Sequence, residues 1–216
     1  MKCPDGYQIY GKPLNLRDKD IRDKYKPYGM PFWVLAAIIA IYLVCVEYSF
    51  CALIILIVAL ILIYPIHEVF HYILQWICSG KRPHLGFHFP FPFSALDKEA
   101  NLCKQQAIVA AVAPFIFITV ICTIIAVMAY SQYLITCGIL THTQASLIIG
   151  IITFLNVAIC SADFYLIKWL LKSPRTAILR QCDLINILCV PTRRQQSINK
   201  PPETMSPLSH PDTNEG

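Results

Sequence analysis

Charge is scarce in this sequence. Only 14% of the 216 residues are Asp, Glu, Lys or Arg, against 56% hydrophobic, and that balance argues against an ordinary soluble domain. No CxxC pair occurs among the ten cysteines, so zinc-finger spacing is missing. Cys45, Cys51, Cys122 and Cys160 sit inside apolar runs, where they read as small helix residues and not as a disulfide scaffold. The first thirty residues lack the apolar core of a cleavable signal peptide, since Asp18, Lys19, Asp20, Arg22, Asp23, Lys24 and Lys26 crowd there instead. Internal repeats are absent as well. The formal net charge of +5 does not suggest nucleic acid, because the cations lie beside apolar blocks and are not interleaved with aromatics on a polar domain.

What is abundant is uninterrupted apolar sequence. After Pro31 it runs to Ile66, broken only at Glu47, Tyr48 and Ser49. A single helix of that length would measure roughly 54 Å, against a hydrocarbon layer of roughly 30 Å, so the run holds two spans. The pattern predicts transmembrane helices over about 32–46, 50–78, 106–130 and 146–171. Lys and Arg are plentiful in the N-terminal segment, in the loop after Cys78 (Lys81, Arg82, Lys98, Lys104) and after the last span (Lys168, Lys172, Arg175, Arg180). They are missing near Glu47 and from Ser131 to Ala145. Cationic loops stay cytoplasmic, which puts both termini inside.

The expectation is therefore an all-α integral membrane protein of four spans, N-in and C-in, located in the cell (plasma) membrane. A cytoplasmic segment 1–30 precedes the membrane-embedded domain 31–190, and a disordered tail rich in Pro, Ser, Thr and Asn occupies 191–216. Between the second and third spans, Leu85 to Phe93 has apolar residues at alternate positions together with prolines, which reads as a short extended or re-entrant segment, or else as an aromatic interfacial loop. Segment Ser173 to Val190 mixes cations with aliphatics and is expected along the cytoplasmic surface.

The chemistry concentrates in His67-Glu68-Val69-Phe70-His71, an HExxH pattern. Residues four apart share a helix face, so two imidazoles can hold one metal ion while Glu68 stands next to a water on it; zinc is the natural occupant. Ionisable groups are costly within a membrane helix, which favours a functional role. A third ligand must come from another helix at the same depth, and Asp163 is the only acid in the fourth span. Measured from the outer helix ends near Phe50 and Ala145, His67 and Asp163 lie roughly 26 Å and 27 Å inward at about 1.5 Å per residue. Asn156, close to two turns before Asp163, falls on nearly the same face. It could hydrogen-bond a substrate carbonyl, orient a ligand, or serve only as a polar packing contact. His84 and His88 read as interfacial, and His142 and His210 as exposed.

The order of an HExxH on an early span, a loop, Ala113-Pro114 within a later span, and Asn156 followed by Asp163 on the last resembles the site-2 protease-like intramembrane metallopeptidases. Within them it is most similar to the small zincin membrane peptidases first grouped as a domain of unknown function. The resemblance covers roughly Met30 to Val190 and implies His67, His71 and Asp163 as zinc ligands and Glu68 as the catalytic acid/base. It also implies a membrane protein or peptide as substrate, met within the lipid bilayer at an extended-strand edge. The chain departs from the better known members in having no Pro after Asn156 and Phe164 where they have Gly. Divalent-metal transport and a non-catalytic membrane scaffold remain the alternatives. A di-iron oxygenase is disfavoured, because only His67 and His71 of six histidines are well placed within the membrane.

Overall fold

A computed structural model describes residues 3–47, 50–88, 91–97, 99–130, 141–182 and 185–192. In chain order the elements are β1 (Tyr7–Ile9), β2 (Leu14–Asn15), α1 (Lys19–Val46), α2 (Phe50–Ser79), β3 (His84–His88), β4 (Phe91–Ala95), β5 (Leu102–Cys103), α3 (Lys104–Tyr130), α4 (His142–Ile159), α5 (Ser161–Leu171), β6 (Ile178–Cys182) and β7 (Ile185–Pro191). Among the described residues, four helices are long and apolar enough to cross a membrane: α1, α2, α3 and α4. Their outer faces present side chains such as Ile41 (63% exposed), Ile61 (65%) and Val127 (63%). Apolar surface on that scale is compatible with an integral membrane protein.

The fold is mostly helical, but the all-α expectation is corrected by two antiparallel sheets. One runs β1-β7-β6-β5, with β2 also pairing β7; the other is the β3-β4 hairpin. The larger sheet recruits residues 178–182 and 185–191, from the stretch expected along the cytoplasmic surface. Its central strand β7 is buried at five consecutive positions, Asn186 to Val190. A strand covered on both faces has no polar alternation to reveal it. Leu179, Leu188 and Val190 form one core with Leu102, Ala107 and Leu170, so the sheet caps the ends of α3 and α5. A disulfide joins Cys3 to Cys189 on that strand, where no bridge was expected; Cys45, Cys122 and Cys160 are free thiols, as helix residues would be.

Two helix boundaries also differ from expectation. Helix α1 starts at Lys19, well before Phe32, because the Asp18 side chain accepts from the amide of Asp20 and caps the helix. Pro27 and Pro31 lie inside it; each removes one helical donor without ending the helix. The last span is divided. Helix α4 opens with a capping box between Thr141 and Gln144 and ends at Ile159; Cys160 forms a one-residue turn (φ −67°, ψ −1°), and α5 follows. Helix α1 crosses this junction closely. At Gly29 a Cβ would stand 2.8 Å from the Ala158 carbonyl oxygen and 3.0 Å from Ser161 Oγ, so only glycine allows the approach. The tail expected to be disordered falls almost entirely outside the described residues.

Candidate metal centre

Helix α2 carries His67, Glu68 and His71 past the first turn of α5, which carries Asp163. One helical turn separates the two histidines, and their Nε2 atoms lie 3.1 Å apart. Asp163 Oδ2 is 3.2 Å from His67 Nε2, and Oδ1 is 3.3 Å from His71 Nε2. All three residues are buried, at 3%, 8% and 9% exposure. Among the described residues this is the one group of three or more His, Cys, Asp or Glu arranged to hold a metal ion.

The protonation pattern of the rings follows from their outer partners. His71 Nδ1 lies 2.9 Å from the carbonyl oxygen of Ala110. A carbonyl can only accept, so Nδ1 carries the hydrogen, and in the neutral ring Nε2 presents a lone pair. That carbonyl has capacity to spare for a sequence reason. Its helical donor would be the amide of residue 114, and residue 114 is proline. Pro114 is among the most deeply buried residues of the protein.

His67 is set through a longer chain. Asn156 Nδ2 donates to the Phe115 carbonyl and to Thr119 Oγ1, both at 3.4 Å, which turns its Oδ1 toward Cys160. The Cys160 thiol donates to that oxygen at 3.7 Å. Its sulfur is then the acceptor facing His67 Nδ1, 3.8 Å away. In its neutral form His67 therefore also turns an Nε2 lone pair inward. Sulfur contacts of this length are weak singly, but each donor in the series has one consistent direction.

Two imidazole Nε2 atoms and a carboxylate thus converge on one point. Asp163 Oδ2 is buried without a hydrogen-bond partner, although His67 Nε2 is 3.2 Å away. With both rings neutral, only acceptors face one another there, and a metal cation satisfies all three. Ligand atoms on a tetrahedral ion with bonds of about 2.0–2.1 Å stand about 3.3 Å from one another; each imidazole nitrogen is close to that distance from the other and from one Asp163 oxygen, and one donor atom from each residue lies within 4.8 Å of the others. The donor set of two imidazoles and one carboxylate suits zinc, and the residues present fit the ion.

The cluster opens onto a cavity of about 220 Å³ whose polar lining includes Arg17, Tyr64, Glu68, Gln75 and Ser94. Glu68 is positioned by the hairpin, its Oε2 accepting the Ser94 amide at 2.9 Å. Because Ser94 stands opposite Leu85 in the register yet sends its amide to Glu68, the free edge of β4 faces the cavity. Arg17 lies at the rim, its guanidinium 5.7 Å from the Phe93 ring centre.

Of the residues singled out from sequence, the structure brings His67, His71, Glu68 and Asp163 together. Asn156 is fully buried against α3 and does not line the cavity; its polar atoms are engaged with Phe115, Thr119 and Cys160. His84 lies apart, Nε2 3.4 Å from Asp97 Oδ2. The Glu99 amide, with Lys81 and His84 nearby, holds the Asp97 carboxyl below its ordinary range. His142 is exposed, and His210 is outside the described residues. Sequence reasoning missed Cys160, Ser94 and Gln75. Gln75 stands one turn beyond His71, and its Oε1 is buried without a hydrogen-bond partner; the four-residue spacing from His71 was the available signal.

No curated protein and no solved structure matches the chain. A family model does match, over residues 60–178, a stretch that includes every residue of the cluster and of its outer partners. By that match the chain belongs to the family described as "Putative zincin peptidase".

Proposed function

We propose that the protein is a zinc-dependent intramembrane metallopeptidase that hydrolyses peptide bonds of membrane-associated substrates. The carrying observation is the convergence of His67 Nε2, His71 Nε2 and Asp163 at separations of 3.1 to 3.3 Å on a cavity between apolar helices. Family membership supports a metallopeptidase. The four apolar helices support the membrane setting.

A zinc ion held by these three residues would supply Lewis-acid polarisation of the scissile carbonyl and a water acidic enough to attack it near neutral pH. Glu68 would accept the proton of the attacking water on its carboxylate and deliver it to the leaving amine. The Ser94 amide fixes one oxygen of its carboxylate and leaves the other for the proton. Gln75 Oε1 accepts a substrate N–H within the cavity.

A helical substrate keeps its amides locked in internal hydrogen bonds and has to unwind before cleavage. The free edge of β4 offers it replacement partners by strand addition, beside Glu68. The loop charges support an orientation with both termini cytoplasmic and the site toward the cytoplasmic side; the plasma membrane is the proposed location. Asn156 acts on the ligand His67 through Cys160.

The test is cleavage of a membrane-embedded reporter helix by zinc-loaded protein in vesicles. Wild type cuts the reporter; Glu68→Gln retains zinc and cuts at least about a hundredfold more slowly, the scale on which general acid/base groups contribute. Equal cleavage by the two proteins would remove Glu68 from the mechanism. Metal retention without cleavage by wild type, across a panel of reporters, would favour the scaffold.

A further inference from the structure

A second cavity, of about 320 Å³, lies between α1 and α5, away from the metal cluster. Its lining is Lys24 and Tyr28 from α1 with Tyr165, Lys168, Trp169 and Lys172 from α5. The spacing makes this a face-to-face arrangement: Lys24 and Tyr28 are one turn apart, and 165, 168, 169 and 172 fall on one stripe of α5. Lys168 Nζ donates to the Tyr28 hydroxyl at 3.0 Å and stands 5.5 Å from the centre of that ring. The two helices are held against each other beside the groove by the close approach at Gly29 and by the Tyr25–Tyr165 ring contact.

Three lysines therefore line one cavity whose lining contains no carboxylate. Asp20 and Asp23 lie on the same helix as Lys24 but outside the lining. Among the described residues none of the three lysines has a carboxylate within ion-pairing distance. Lysines gathered without a counter-charge make the local potential positive and favour an anion between them. Tyrosine and tryptophan accompany the lysines, the combination found at the headgroup level of a bilayer. The groove also sits where the charged start of α1 gives way to its apolar length, which begins near Met30. A smaller cavity shares Trp169 and Lys172 with it and extends it toward the sheet.

We infer that this groove binds the phosphate of an anionic phospholipid headgroup. The lysines meet the phosphate oxygens, the aromatic rings flank the glycerol region, and the acyl chains lie along the exposed apolar face of α1. A basic pocket between membrane helices is suited to such headgroups. The ligand is a lipid in preference to soluble phosphate because the groove combines the cations with interfacial aromatics at the edge of an apolar surface.

Trp169 lines the groove and serves as its probe. The full chain carrying Trp33→Phe and Trp76→Phe has Trp169 as its single tryptophan. In nanodiscs of phosphatidylcholine, brominated phosphatidylglycerol should quench it at a roughly tenfold lower mole fraction than brominated phosphatidylcholine. Changing Lys24, Lys168 and Lys172 to Gln should abolish the difference. Equal quenching by the two lipids, or a preference that survives the triple substitution, overturns the proposal. Loss of the preference on adding inorganic phosphate alone would assign the groove to soluble phosphate and overturn the lipid assignment. Native mass spectrometry of the wild-type chain and of Lys168→Gln gives an independent reading. Retained phosphatidylglycerol adducts on the wild type that fall on the variant agree with the proposal, and identical adduct counts contradict it.

Discussion

The His71 ring meets the carbonyl of Ala110, 2.9 Å from its Nδ1, four residues before a proline that cannot compete for that carbonyl. The gap in the α3 hydrogen-bond ladder and the orientation of a candidate metal ligand are thus one feature. Replacing Pro114 by Ala restores an amide to Ala110. Zinc affinity should fall about tenfold to a hundredfold, as for loss of an outer partner of a ligand. Thermal stability of the metal-free protein should hold or rise, since proline in a helix interior costs about 3 kcal/mol. Competition with a chelator and a melting curve on the same preparation read both. A parallel fall in stability and affinity would mean that Pro114 acts only by packing.

The chain from Phe115 through Asn156 and Cys160 to His67 predicts a graded series. Cys160→Ser keeps a group that donates to Asn156 and accepts from His67, so the visible spectrum of the cobalt-substituted protein should stay near wild type. Cys160→Val and Asn156→Leu break the chain and should shift that spectrum and weaken the metal. Asn156→Leu also strands buried partners at a cost of about 1–3 kcal/mol. Identical spectra in all four proteins would show that His67 needs no such support.

Ser94 donates through its backbone amide, so the informative change is to proline, which lacks the donor. Ser94→Pro should keep its zinc and lose cleavage by about tenfold or more, the hydrogen bond to a charged group being worth about 1.5–3 kcal/mol. Ser94→Ala keeps the amide and should cleave normally. Normal cleavage by the proline variant would detach the hairpin from catalysis.

In the orientation proposed above, the start of the chain and β7 face the cytoplasm, where glutathione keeps thiols reduced. Cys3 and Cys189, bonded in the structure, should therefore be alkylated as free thiols when living cells are quenched with a permeant reagent, and should pair only after oxidation of the purified protein. Recovery of the bond from freshly quenched cells would put that end of the bundle outside and reverse the orientation proposed above.

Much of this site was legible before any coordinates. The spacing of His67 and His71 needs only helical geometry, and Asp163 stood out as the one acid of its span. The length of α2 and of α3 followed from unbroken apolar sequence. The start of α1 did not, because Pro27 and Pro31 look like stops and the Asp18 cap outweighs them. The division at Cys160 carries no breaker residue, and it changes what Asn156 faces: the seven-residue interval to Asp163 suggested a shared face, while the turn leaves Asn156 against α3. Strands β6 and β7 were hidden for another reason. Buried from Asn186 to Val190 on both faces, β7 lacks the alternation that marks a half-exposed strand. Pro114 was visible as a residue, but its effect depends on His71 arriving from another helix.

The most direct measurement is the metal content of the detergent-purified protein by elemental mass spectrometry, beside His67→Ala and Asp163→Ala. The three-ligand centre predicts about one zinc per wild-type chain and a loss in both variants, each of which removes one of three protein ligands. Wild-type protein that stays free of metal after zinc reconstitution, or an Asp163→Ala variant that holds zinc as tightly as wild type, would contradict it.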